Sequence, residues 1–99
     1  MITKVQAKLI ADNINQFLPT DPSLLNETRT GNVLLDEANH SVVWAAGRGK
    51  YTAPVSANSV QGVYTQVQVI NFITALTALG YGVDESRLNS DKVVILSWS

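Results

Sequence analysis

Two helix-start signals and one strongly β-forming tail predict a small α+β domain. Thr3-Lys4-Val5-Gln6 and Thr65-Gln66-Val67-Gln68 both have the spacing of a capping box. Val93 to Trp98 is a run of β-branched and bulky apolar residues near the end of the sequence. The predicted order is α-β-β-(β)-α-β over residues 1–99, one domain with a mainly antiparallel sheet packed on two helices.

The first helix is expected over Thr3 to Leu18. Val5, Leu9, Ile10, Ile14, Phe17 and Leu18 are read as its apolar stripe, and Lys8 and Asp12 stand one turn apart as a weak ion pair. Pro19 closes it, because the residue before a proline is pushed out of the helical region. Thr20-Asp21-Pro22-Ser23 then reads as a turn, with Leu24 and Leu25 lying over the core.

Asn32 to Ala46 is expected to be a β-hairpin. Val33-Leu34-Leu35 forms one strand, Ala38-Asn39-His40 the turn, and Ser41 to Ala46 the returning strand. Asparagine tolerates the left-handed conformation of tight turns, and the flanks are rich in valine. Trp44, in mid-strand, is expected in the core. Gly47-Arg48-Gly49-Lys50 reads as a flexible basic loop. Tyr51-Thr52-Ala53 begins a third strand that Pro54 confines to an edge or a short piece, and 55–62 reads as an exposed polar loop.

Thr65 to Tyr81 is the expected core helix. Val69, Ile70, Phe72, Ile73, Leu76 and Leu79 recur at helical spacing, and Gly80 suits the left-handed residue after a helix end. The alternation of Val63, Thr65, Val67 and Val69 has strand period, so the start of this helix is its least defined boundary. No charge occurs from Gln66 to Val83. So apolar a helix needs covering on most faces, by the rest of the domain or by a second subunit. In the last strand Val93 and Ile95 point one way, and Val94, Leu96 and Trp98 the other. That pattern suits an interior strand, or an edge that a partner covers.

Composition narrows the classes of function. The chain has 99 residues, a net charge of −1, no cysteine and a charged fraction of 15%, against a usual value of about 25%. Disulfides, thiol chemistry and cysteine-based zinc sites are excluded. Basic and acidic residues are scattered without a stripe, so nucleic-acid binding is not expected. The longest apolar run contains Gln and Asn and does not read as a membrane span, and the polar-faced N-terminal helix does not read as a secretory signal. The low charge density fits either a short chain's ordinary variation or a surface partly buried in an assembly.

No catalytic pattern stands out. Gly47-Arg48-Gly49-Lys50-Tyr51 lacks the leading glycine and the Ser/Thr of a phosphate-binding loop. His40 is the only histidine and has no cysteine to join it in a metal site. Asp36-Glu37 and Asp84-Glu85 read as solvated turn charges. The expected function is therefore a non-enzymatic protein-interaction or assembly protein, acting on a protein partner or by self-association, with no cofactor and no metal. A cysteine-free composition rich in Asn, Thr, Ser and Val suits a phage or viral structural component, or an inhibitor directed at a host protein, in the cytoplasm or on the virion. The expected element order is loosely similar to that of small phage tail-completion proteins, a likeness of topology alone. The alternative function is a small-ligand binder, for an anion or nucleotide, using the Gly47–Gly62 loop. The candidate binding residues are Arg48, Lys50, Tyr51 and Tyr64 for the ligand, and Trp98, which reads equally as closing the core or as a contact between chains.

Overall fold

The computed structural model describes every residue except Asn26, Thr28, Val60 and Gln61, and the side chains of all others but 58, 59, 62 and 63. Helix α1 spans Lys4–Asn15, α2 Val33–Ala46, α3 Gln66–Ala78 and α4 Leu88–Asp91. A 3₁₀ turn covers Pro22–Leu25. Strands β1 (Thr52–Ser56), β4 (Gly82–Asp84) and β5 (Val93–Ser97) form an antiparallel sheet in the order β1-β5-β4, and β2 (Asn58–Ser59) pairs with β3 (Gly62–Val63). This is the α+β class expected, with an antiparallel sheet but four helices rather than two.

Both capping boxes form. Thr3 Oγ1 accepts from the Gln6 amide while the Gln6 side chain takes the Thr3 amide, and Thr65 and Gln68 repeat the exchange. The doubtful boundary near residue 65 is thus fixed by side-chain chemistry. α1 stops at Asn15, earlier than Pro19 requires. Phe17 adopts a left-handed φ of 57°, and the Leu18 amide reaches back to the Asn13 carbonyl at 2.8 Å. That closing bond is the Schellman arrangement, normally made with glycine.

The segment 32–46 is a helix, not a hairpin. Leu34, Ala38, Val42 and Ala45 recur at helical spacing and are all buried. Asn32 caps the helix through Oδ1 to the Leu35 amide at 3.2 Å. Asn39, expected in a turn, lies instead on the buried face and accepts the Ile2 amide at 3.1 Å.

The core also sits elsewhere than expected. α2 buries Leu34, Ala38, Asn39, Val42, Val43, Ala45 and Ala46, whereas α3 buries only Phe72 and Leu76. The α1 stripe is corrected as well. Its buried face is Ala7, Ile10 and Ala11, while Val5, Leu9 and Phe17 are exposed. Two alanines let α1 approach α2 closely, and their small size hides that face from a reading weighted by bulk. β5 is the interior strand, with Val94 and Leu96 fully buried, as is Trp98 just beyond its end. β1 is an edge strand that accommodates Pro54, the first of the two readings expected, and it runs on through Val55 and Ser56 with Val55 and Ala57 buried, where an exposed loop was expected.

Candidate functional site

Among the described residues two surfaces bring candidate side chains together. The first belongs to α3. On a helical projection Val67, Ile70, Asn71, Thr74 and Ala78 share one face, opposite Phe72 and Leu76. Val67 is 66% and Ile70 53% exposed; Asn71, Thr74 and Ala78 are exposed too. The Thr74 and Thr77 hydroxyls each donate to the carbonyl four residues earlier, Ile70 and Ile73, at 2.9 Å. Those hydroxyls are satisfied within the helix, which makes the face more apolar than its composition suggests. Beside it runs a cavity of about 420 Å³ between α3 and α4, lined among others by Tyr64, Val69, Ile70, Ile73 and Leu88. Glu85 and Lys92 flank this cavity with opposite charges, and neither forms an ion pair among the described residues.

The second surface is a cavity of about 300 Å³ between α2 and β1. α2 contributes His40, Ser41, Trp44 and Ala45; the turn and β1 contribute Lys50, Thr52, Ala53 and Pro54. Trp44, expected in the core, is 48% exposed. Its ring carries the Arg48 guanidinium 3.8 Å from the centroid and the Lys50 ammonium at 5.6 Å, both within cation–π range. Arg48 is held there by a hydrogen bond from its guanidinium to the Trp44 carbonyl at 3.2 Å. His40 Nδ1 lies 2.6 Å from Glu27 Oε1. No carboxylate lines the cavity among the described residues.

The turn that presents these cations is fixed from three sides. Gly49 has a φ of 75°, a conformation that favours glycine. A side chain there would also collide with Asn15. Asn15 Nδ2 donates to the Gly49 carbonyl at 3.0 Å and to the Tyr51 hydroxyl at 3.2 Å. The Tyr51 hydroxyl in turn donates to Asp12 Oδ1 at 2.6 Å. Hydrogen bonds from Lys8 and then Tyr51 hold the Asp12 carboxyl below the usual carboxylate range. Finally Trp98 Nε1 donates to the Lys50 carbonyl at 3.0 Å. The basic segment is therefore a pinned turn, where the sequence suggested a flexible loop.

The candidate residues thus divide. Arg48 and Lys50 converge on one ring. Tyr51 is adjacent, but its hydroxyl is turned to Asp12 and ties the turn to α1. Tyr64 lines the α3–α4 cavity, away from the basic turn. Trp98 is fully buried in this chain's own core, packed edge-on to Tyr81 with ring centroids 6.3 Å apart. Sequence reasoning missed Trp44, Ser41 and Thr52 as neighbours of Lys50. The signal was the helical spacing of Ser41 and Trp44, hidden by the strand assignment. Among the described residues no group of three or more His, Cys, Asp or Glu side chains could hold a metal, and no helix is long and apolar enough to cross a membrane.

No protein-family model matches the chain, and comparison with curated proteins and with solved structures gives no match.

Proposed function

We propose that this chain is a non-enzymatic interaction or assembly protein that self-associates through the outer face of α3. One observation carries the reading: α3 lies in a charge-free stretch from Gln66 to Val83, yet turns only Phe72 and Leu76 fully inward. A face with no charge gains nothing from a partner of either sign, and two copies of it meet without repulsion. The flanking Glu85 and Lys92 favour a second copy further. A two-fold axis passing between them would set each against its opposite on the other subunit, the self-complementarity an isologous dimer needs.

Thirteen residues make a helix of only about 20 Å, so α3 alone covers less than the ~800 Å² per partner of a standard stable interface. The association is accordingly weak and dependent on concentration. A phage or viral assembly component, or an inhibitor acting on a host protein, is the setting this composition suits. Amide hydrogen exchange at two protein concentrations tests the reading. Protection of 67–78 should rise with concentration while that of β5 stays constant. Concentration-independent exchange along α3 would refute it.

A further inference from the structure

We infer that the cavity between α2 and β1 is a binding site for a small organic anion, a carboxylate or phosphate ester carried on a flat apolar body. The site is separate from the outer face of α3 and does not depend on association there.

The charge arrangement comes first. Arg48 and Lys50 bring two positive charges to one indole in a chain whose net charge is −1. Both lie within cation–π range of that ring, so their positive potentials add there. Neither has a carboxylate partner among the described residues. Lys50 lines the cavity and Arg48 stands outside its lining, so an anion bound beside Lys50 meets the potential of both. Glu27, the nearby acid, is engaged by His40 at 2.6 Å and is not among the cavity's lining residues. The turn that places the cations is rigidly held by Asn15 and Trp98, so little ordering is required on binding.

The donors are also set. Ser41 and Thr52, each with a hydroxyl to offer, line the same cavity as Lys50. β1 alternates its main-chain bonds: Tyr51 and Ala57 bond to the chain flanking β5 at 3.0 and 2.7 Å, and the register pairs Ala53 with Leu96 and Val55 with Val94. The Thr52 amide, between them, is therefore directed away from β5 along the open edge of the sheet. Ammonium, hydroxyls and amide together are what a carboxylate or phosphate oxygen accepts from.

Pro54 decides between a small molecule and a peptide. An added strand needs amide donors along the edge, and Pro54 has none to give at the middle of β1. Apart from His40, which is engaged with Glu27, the remaining wall is apolar, from Trp44, Ala45, Ala53 and Pro54. A volume of about 300 Å³ lies at the small end of ligand cavities. That room suits a one- or two-ring acid.

The test is an NMR titration of the whole chain with four probes: benzoate, phenyl phosphate, benzyl alcohol and inorganic phosphate. The Trp44 indole and the Thr52 amide should shift saturably with one or both ring-bearing anions. Benzyl alcohol and inorganic phosphate should bind at least tenfold more weakly, because each lacks one half of the ligand. Whichever ring-bearing anion binds tighter assigns the headgroup. Lys50→Gln should weaken that anion at least tenfold with the spectrum of β5 unchanged, and Arg48→Gln should weaken it in the same direction. The inference is overturned if neither ring-bearing anion gives saturable shifts at these residues, if benzyl alcohol or inorganic phosphate binds as well, or if both variants bind like the native chain.

Discussion

Trp98 donates its indole hydrogen to the main-chain carbonyl of Lys50 at 3.0 Å, tying the end of the central strand to the basic turn 48 residues earlier. The ring is fully buried, so it supports the fold and the placement of Lys50 together. Trp98→Ala should cost about 3–5 kcal/mol, the range for deleting a large buried aromatic. Urea denaturation checks this; a loss within 1 kcal/mol would show that the ring is not a core element. Trp98→Phe keeps most of the apolar burial and loses only the donor, so it should cost less than the alanine variant.

Asn39 is the one buried polar side chain among the described residues, and its oxygen satisfies the Ile2 amide. Asn39→Leu keeps the bulk and removes the acceptor, leaving that amide unpaired. A loss of about 1–3 kcal/mol is expected. Calorimetry should show a lower Tm, and exchange of the Ile2 amide should become fast.

Phe17 combines a left-handed φ of 57° with 96% exposure. Its side chain gains little from burial in this chain, while its backbone is in a conformation that glycine occupies at lower cost. Phe17→Gly should therefore stabilise the domain, by about 0.5–1 kcal/mol, the scale of such backbone effects. Chemical denaturation that places the variant below the native chain would show that the aromatic ring makes a compensating contact.

Tyr81 gives an alkaline signature. Its hydroxyl donates to the Ile2 carbonyl at 2.8 Å, and burial pushes its phenol well above the ordinary value. A folded pKa above the unfolded one means this contribution is complete below about pH 10. It is lost as pH rises from there toward the folded pKa. Stability should thus fall through that alkaline window, and a phenolate absorbance titration of the folded chain should find one of the three tyrosines silent until unfolding. Tyr81→Phe should flatten the alkaline decline; an equally steep one would assign it to other groups.

Local chemistry was the most legible part of the sequence. Thr3–Gln6 and Thr65–Gln68 form their caps because that exchange needs only four residues. Two-sided apolarity left β5 as either an interior strand or a covered edge, and Pro54 left β1 as either an edge or a short piece; the sheet order decides both. The helix at 33–46 was obscured by signals that compete at short range: valines favour strands, and Asn39-His40 resembles a turn. Burial won, since Leu34, Ala38, Val42 and Ala45 share a helical face that packs on α1 and β1. The α2–β1 cavity was hidden with it, because Ser41 and Trp44 converge with Lys50 only once 33–46 is helical. Arg48 and Lys50 could be singled out as the only basic pair in a glycine turn, but their shared ring could not.

The central claim is that the outer face of α3 pairs with a second copy. Light scattering on a concentration series of the native chain and of Ile70→Glu tests it most directly. Ile70 is 53% exposed on that face, so a carboxylate there leaves the core intact and sets two like charges against each other in the dimer. The native chain should move from monomer toward twice the monomer mass as concentration rises, and Ile70→Glu should remain monomeric at every concentration. A native chain that stays strictly monomeric at the highest concentration, or an Ile70→Glu variant that dimerises equally well, would contradict the account.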